Sequence, residues 1–168
     1  PELVRQRVQR FQPIEHRLEW VRRLDGTDWY NDSIATTPDR TVAALDSFDR
    51  PVVLIAGGYD KHISYAPLAE RVLHGVRALI LLGATRQQIA ETITATAAAQ
   101  GAVPPHITET ADLHGAIVAA RATARPGDVV LLSPASASYD MFRNFEERGR
   151  LFKEMVGRLP DDPLTRPT

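Results

Sequence analysis

Three short apolar runs constrain the fold of this chain more than any other feature: Val52-Val53-Leu54-Ile55-Ala56, Ala78-Leu79-Ile80-Leu81-Leu82 and Val129-Val130-Leu131-Leu132. A strand with one wet face alternates apolar and polar residues, so a strand that is apolar throughout must be covered on both faces. Helical stretches lie between the runs. Thr37-Pro38-Asp39 opens one of them, with threonine placed to cap, proline at the first helical position and aspartate at the positive end. Its Val42, Leu45 and Phe48 fall on one face. A second helix is expected over roughly Tyr65–Leu73. Thr85-Arg86-Gln87-Gln88 reads as a capping box for an alanine-rich helix ending near Gly101. A short strand at His106–Thr108 and a helix over Asp112–Ala124 lead to the turn Arg125-Pro126-Gly127-Asp128. Asn144 and Glu147 form another cap pair, before a helix whose Phe145, Phe152, Met155 and Val156 share a face. At the start, Glu19–Leu24 and Asp28–Tyr30 flank the turn Asp25-Gly26-Thr27, which predicts an antiparallel hairpin. The sum is an α/β three-layer domain: a mostly parallel sheet, helices on both faces, and an N-terminal antiparallel hairpin.

Composition narrows the function classes. A chain of 168 residues suits one domain with a proper core. The formal net charge of -1 supplies no basic surplus, which argues against nucleic acid as a partner. With no cysteine, disulfides, thiolate metal sites and a cysteine nucleophile are excluded, and the composition fits a reducing cytoplasm. The apolar runs fall far short of a membrane span. The chain opens on Pro1, without methionine and inside a helix-like stretch, and is expected to be a fragment. Residues 1–13 read as the end of a preceding region or a linker, 14–158 as the folded domain, and the proline-rich 159–168 as a disordered tail. A monomer is expected.

In an open parallel sheet, ligands bind beyond the carboxyl ends of the strands. Three loops leaving strand ends here are rich in small and polar residues: Asn31–Thr36, Gly57–His62 and Ser133–Ser138. They predict a small-ligand crevice. Gly57-Gly58 allows a sharp turn and close approach, but the G-x-x-x-x-G-K-[ST] phosphate loop occurs nowhere in the chain. Lys61 is placed to meet a carboxylate or phosphate, or to be a solvated loop residue. The three serines of Ser133–Ser138 offer hydroxyls to a carboxylate, and ordinary loop capping accounts for two of them equally well. Asp32 suits a ribose hydroxyl or a helix cap, and Thr36 and Thr37 read locally as caps. The five histidines lack metal-binding spacing, so no metal site is expected.

Read together, five segments carry a more specific signal: His16–Glu19, Tyr30–Thr36, Ile55–Lys61, Pro126–Ser138 and Asn144–Gly149. In order and spacing they resemble the C-terminal domain of the D-glutamate-adding branch of the Mur ligase family. The resemblance implies a Rossmann-like domain that closes over a central ATPase domain. In that branch ATP phosphorylates the carboxyl of UDP-N-acetylmuramoyl-L-alanine, and the amine of D-glutamate attacks the acyl phosphate. By the same resemblance, Lys61 pairs with one D-glutamate carboxylate and Ser138 binds the other. Tyr139 and Phe145 complete that pocket, and Thr36 lies near the amino acid. Arg17 would reach the ATP phosphates on closure, and Asp32, with Asn31 beside it, the nucleotide ribose. ATP and Mg2+ would be held mainly by the central domain, so this chain alone is expected to bind neither and to be inactive. Two departures stand out: Ile34 replaces a lysine common in relatives, and Gly58-Tyr59-Asp60-Lys61 replaces a glycine-aspartate-glycine-lysine loop. Asp60 is expected to pair with Lys61 when the site is empty. The alternatives are a sister Mur or folylpolyglutamate ligase domain delivering another amino acid, and a non-catalytic α/β binding module.

Overall fold

The computed structural model describes residues 14–161. The expected preceding segment at 1–13, and the tail from 162 onward, lie outside the described residues. Six strands form one sheet: β1 (Glu19–Leu24), β2 (Thr27–Asn31), β3 (Val52–Ala56), β4 (Val76–Leu81), β5 (His106–Glu109) and β6 (Val129–Leu132). Five helices surround it: α1 (Pro38–Leu45), α2 (Ala66–Val72), α3 (Arg86–Gln100), α4 (Leu113–Thr123) and α5 (Phe145–Arg158). The spatial order is β1-β2-β6-β3-β4-β5. Only β1 runs antiparallel, paired to β2 through the predicted hairpin, and every other pairing is parallel.

The apolar runs behave as their lack of alternation requires. Val52, Leu54, Ala56, Leu79 and Leu81 pack with Leu45, Leu68, Val72, Ile89 and Ile93 in one layer, beneath α1–α3. Val53, Ile55, Ile80, Val130 and Leu132 face the opposite way, against Leu113, Ile117, Phe152 and Val156 of α4 and α5. Both faces are covered, which gives the three-layer α/β architecture expected from the sequence.

Element ends follow local chemistry with three exceptions. Asp112 caps α4 through the Gly115 amide, Asn144 caps α5 through the Glu147 amide at 2.8 Å, and Gly101 ends α3 at φ 63°. Thr37 sits at the α1 N-cap, yet its side chain makes no cap bond. Thr85 makes no cap bond either. Its hydroxyl accepts instead from the Gly58 amide at 3.1 Å, a tertiary partner that displaces the local one. The Glu147 carboxylate takes the Arg143 amide at 2.7 Å and the Arg143 guanidinium, rather than the Asn144 amide.

The far end of α5 is held by β1. Arg22 donates to the carbonyls of Val156, Gly157 and Leu159 and pairs with Asp161, while Arg121 donates to Pro160. Residues 159–161, assigned to the tail on composition, are therefore bonded to the domain. Lys153 in the middle of α5 bridges Glu15 at 2.8 Å and Glu19 at 2.9 Å. Burial works to raise the Glu19 carboxyl, but the His16 amide, Lys153 and Asn31 outweigh it and hold it below its ordinary range.

Candidate functional site

From β3 the chain moves outward through β4 to β5, then returns to insert β6 on the other side of β3. The seam between β3 and β6 is thus a topological switch point, where loops from neighbouring strands part to opposite faces and leave a crevice. The loops that part here are Gly57–Lys61 and Ser133–Ser138, and β2 delivers Asn31–Thr36 to the same end because it runs parallel to β6. All three predicted loops converge.

Backbone bonds join the two central loops. The Gly57 amide donates to Pro134 and the Tyr59 amide to Ala137, each at 2.8 Å. Glycine is obligatory in this strap. At φ 110° and 151°, a Cβ on Gly57 would lie 2.0 Å from the Leu82 carbonyl oxygen, and one on Gly58 2.2 Å from that of Ala137.

The three loop serines divide by role. Ser133 donates to Asp32 Oδ2 at 2.7 Å and to Thr41. Ser136 shares bonds with the Tyr65 hydroxyl at 2.7 Å and the Thr85 hydroxyl at 3.1 Å. These two are structural. The Ser138 hydroxyl makes no hydrogen bond among the described residues, although the residue is only 2% exposed. It is the serine left for a ligand. Lys61 is exposed on the neighbouring loop. Asp60 turns away from it: its carboxylate accepts the His62 amide at 2.6 Å and faces the His62 imidazole at 3.2 Å, so the expected Asp60–Lys61 pair is not formed. Tyr139 stands at the mouth, 67% exposed, with its ring edge-on to Tyr59 at 6.1 Å.

The remaining candidates sit around this pair. Asp32 is buried, its Oδ1 accepting the Leu18 amide at 3.1 Å and its Oδ2 the Ser133 hydroxyl. Burial lifts its carboxyl above the ordinary aspartate range, against the opposing pull of those bonds and of Arg17 and Arg40. Asp32 lines a cavity of about 320 Å³ with Arg17, Leu18, Ile34, Ala35 and Arg40. Asn31 is wholly buried; its side-chain nitrogen bonds Glu19 and His16 and its oxygen accepts the Ser33 amide. Thr36 is half-buried, its amide bonded to Ile34. Phe145 faces a more open groove of about 560 Å³, shared with His16, Ile34, Arg143 and Asn144, and its ring meets His16 edge-on at 6.1 Å. Lys61 and Ser138 line neither space. The structure therefore joins the loops that carry Lys61, Ser138 and Tyr139, through the Tyr59–Ala137 bond and the Tyr59–Tyr139 ring contact, and sets Arg17 with Asp32 in a separate cavity. Phe145 and Ile34 border the groove beyond.

One residue escaped the sequence reading. Arg148, 2% exposed, sends its guanidinium between the loops: Nε donates to the Ser33 hydroxyl at 2.9 Å and one terminal nitrogen to the Ser33 carbonyl at 2.9 Å. The other donates to the carbonyls of Ser136 and Ala137 at 3.2 and 3.3 Å. Ser33 in turn donates to the Phe145 carbonyl at 2.7 Å. Arg148 thereby fastens the start of α5 to two of the three loops. Thr85 was noticed only as a cap, and it too holds the crevice together.

The fold and the crevice define an α/β domain whose strand-end loops meet at a polar switch point. Residues 16–136 match the Mur ligase, glutamate ligase domain, and the chain belongs to that family. It is 49% identical over 149 residues to the UDP-N-acetylmuramoylalanine--D-glutamate ligase of Clostridium acetobutylicum, covering 89% of this chain and 32% of that protein. With the enzyme of the same name from Symbiobacterium thermophilum, identity is 51% over 156 residues, 93% of this chain and 33% of the relative. The chain thus spans about a third of the length of these relatives. Among solved structures, a murein peptide ligase from Psychrobacter arcticus superposes with a TM-score of 0.60 at 16% identity, over 92% of this chain and 32% of that one. A bifunctional folylpolyglutamate synthase/dihydrofolate synthase from Yersinia pestis gives 0.61 at 18%, over 92% of this chain and 34% of its own. At these identities they show a shared fold.

Proposed function

We propose that this chain is the amino-acid-delivering domain of an ATP-dependent ligase that joins D-glutamate to UDP-N-acetylmuramoyl-L-alanine in peptidoglycan synthesis. The observation that carries this reading is the joining of the loop that bears the exposed Lys61 to the loop that bears Ser138, through the Tyr59 amide and the Ala137 carbonyl, in a chain about half identical to enzymes named for that reaction. A dicarboxylate amino acid needs a cation at one end and fixed donors at the other, and these loops offer both. In this reading Tyr139 walls the site, and Phe145, which borders the neighbouring groove, and Thr36 would meet the amino acid from that side.

The chemistry asked of these residues is positioning. With both carboxylates held, the amine is presented to a carboxyl already activated by phosphoryl transfer from ATP, and converting a bimolecular encounter into a fixed approach removes much of the barrier. The G-x-x-x-x-G-K-[ST] loop that would cradle ATP is absent from this sequence. Among the described residues no three His, Asp or Glu side chains converge to hold a metal. In this reading ATP and magnesium would be held mainly by other parts of the enzyme. Arg17 would meet the phosphates when the domain closes, and Asp32 the ribose, with Asn31 bracing the Asp32 loop from inside. Among the described residues, no helix is long and apolar enough to cross a membrane, and the reading places the parent enzyme in the cytoplasm as a monomer.

Titration of D-glutamate into isotopically labelled protein tests the proposal. Amides of Gly57–Lys61 and Ala137–Tyr139 are expected to shift, with weaker responses to L-glutamate, L-alanine and meso-diaminopimelate. Silence at millimolar D-glutamate, or an equal response to L-glutamate, overturns it. A preference for another of these amino acids assigns the domain to a sister ligase.

A further inference from the structure

We infer that Arg148 is a positioning residue that supplies, from behind the loop, the positive charge for the carboxylate at Ser138. The inference rests on the D-glutamate reading above. Four observations carry it. Every hydrogen bond of the guanidinium goes to a neutral oxygen: the Ser33 hydroxyl and the carbonyls of Ser33, Ser136 and Ala137. Among the described residues no carboxylate pairs with it, and only the field of Asp140 reaches it. It is a buried cation with no carboxylate in contact among the described residues, held just behind a crevice. A Cβ placed on Gly58 would lie 3.3 Å from its terminal nitrogen, so the charge sits directly beneath the strap that also carries Lys61.

A purely structural tie would not need the charge. Amide side chains satisfy carbonyls and hydroxyls without one, and burying an unpaired ion is costly. Burial does press on the group, drawing its pKa down to about 10, but it stays cationic at neutral pH. The tie also orients the loop. In a trans peptide the carbonyl and the following N–H point in opposite directions. Turning the Ala137 carbonyl onto Arg148 and the Tyr59 amide therefore aims the Ser138 N–H away from the guanidinium. Ser138 thus faces the ligand with donors that are neutral in themselves but backed by a fixed cation.

The test compares Arg148→Gln and Arg148→Lys with the wild type and Ser138→Ala, measuring affinity for D-glutamate, D-glutamine and D-isoglutamine. The two amides each remove one carboxylate charge, and Ser138→Ala identifies which carboxylate faces Ser138. The expected result is that Arg148→Gln weakens D-glutamate about tenfold, a difference of roughly 1.4 kcal/mol. It should leave the amide lacking that carboxylate nearly unaffected, and Arg148→Lys should restore most of the loss. Equal weakening of all three ligands by both variants would mean a structural tie only, and overturns the inference. A second reading needs no variant: the Arg148 Nε–H resonance of the wild type should move on addition of D-glutamate and stay still with the amide lacking the Ser138-facing carboxylate. If Gln and Lys variants fail to fold, this resonance decides. If the wild type does not bind D-glutamate at all, the functional reading itself falls, an outcome distinct from binding that ignores Arg148.

Discussion

Ser136 and Ser138 stand two positions apart in one loop, and their surroundings predict opposite behaviour on substitution. Ser136→Ala removes the shared partner of the Tyr65 and Thr85 hydroxyls inside a buried network. It should cost about 1–3 kcal/mol of stability, read as a lower thermal midpoint. Ser138→Ala removes a hydroxyl bonded to nothing else described, so the midpoint should hold while D-glutamate affinity falls roughly tenfold, the worth of one bond to a charged group. Calorimetry and titration on the two variants check this crossing pattern. A different residue-scale constraint sits in α5. A Cβ on Gly149 would come within 2.2 Å of His16 Nδ1, and His16 is buried and bonded to Asn31. Gly149→Ala is therefore expected to destabilise by about 1–3 kcal/mol, measured by denaturant unfolding. Lys61 and Ser138 were legible in the sequence because their loops match a family pattern. Arg148 was not: an arginine in the first turns of a polar helix reads as solvated, and its partner Ser33 lies 115 residues away.

At the scale of elements, β3, β4 and β6 were legible because burial on both faces leaves short, unbroken apolar runs, whereas β1 and β2 were legible from the turn between them. β3 and β6 have the predicted ends, β2 extends by one residue at each end, and β4 starts two residues earlier and stops one residue earlier than its apolar run. Caps were legible only where nothing distant competed. Asn144 caps as read, and Asp112, read as the first residue of its helix, caps it, whereas Thr85 is captured by Gly58, 27 residues earlier. The distinction predicts different outcomes for the same kind of change. Asn144→Ala should lose about 1 kcal/mol by freeing the Glu147 amide, with a fall of roughly 2–4 °C in the thermal midpoint. Thr85→Ala should disturb the crevice loops instead, visible as altered amide shifts at Gly58 and Ser136.

For the whole molecule, acid stability depends in part on the Glu15–Lys153–Glu19 bridge. Glu19 and Glu15 are held below the ordinary glutamate value of 4.5. For Glu19 burial opposes this and is outweighed; for Glu15 the bond from Lys153 leads. A carboxyl depressed in the fold contributes stability above its unfolded value and loses it as pH falls through the folded one. Lys153 is raised by the same contacts against burial, so its contribution holds below its unfolded value of 10.5 and fades as pH rises past the folded one. Lys153→Met should therefore be less stable than wild type at pH 7, by roughly 0.5–1 kcal/mol for the half-buried Glu19 pair. The gap should close progressively below pH 4.5. A gap in midpoints that stays constant down to pH 2 would show that the bridge contributes nothing through charge.

The bonds along α5 also have a mechanical meaning. Its start is pinned to the crevice loops by Ser33 and Arg148, its middle to Glu15 and Glu19, and its end to β1 by Arg22. α5 is thus a strut between the place where the described chain begins and the place where a ligand would sit. A tug on the backbone at Glu15 is delivered through Lys153 to the helix, and through the helix to Ser136 and Ala137. A displacement at Glu15 and one at the crevice loops are thus coupled through a single helix, as the two ends of a lever are.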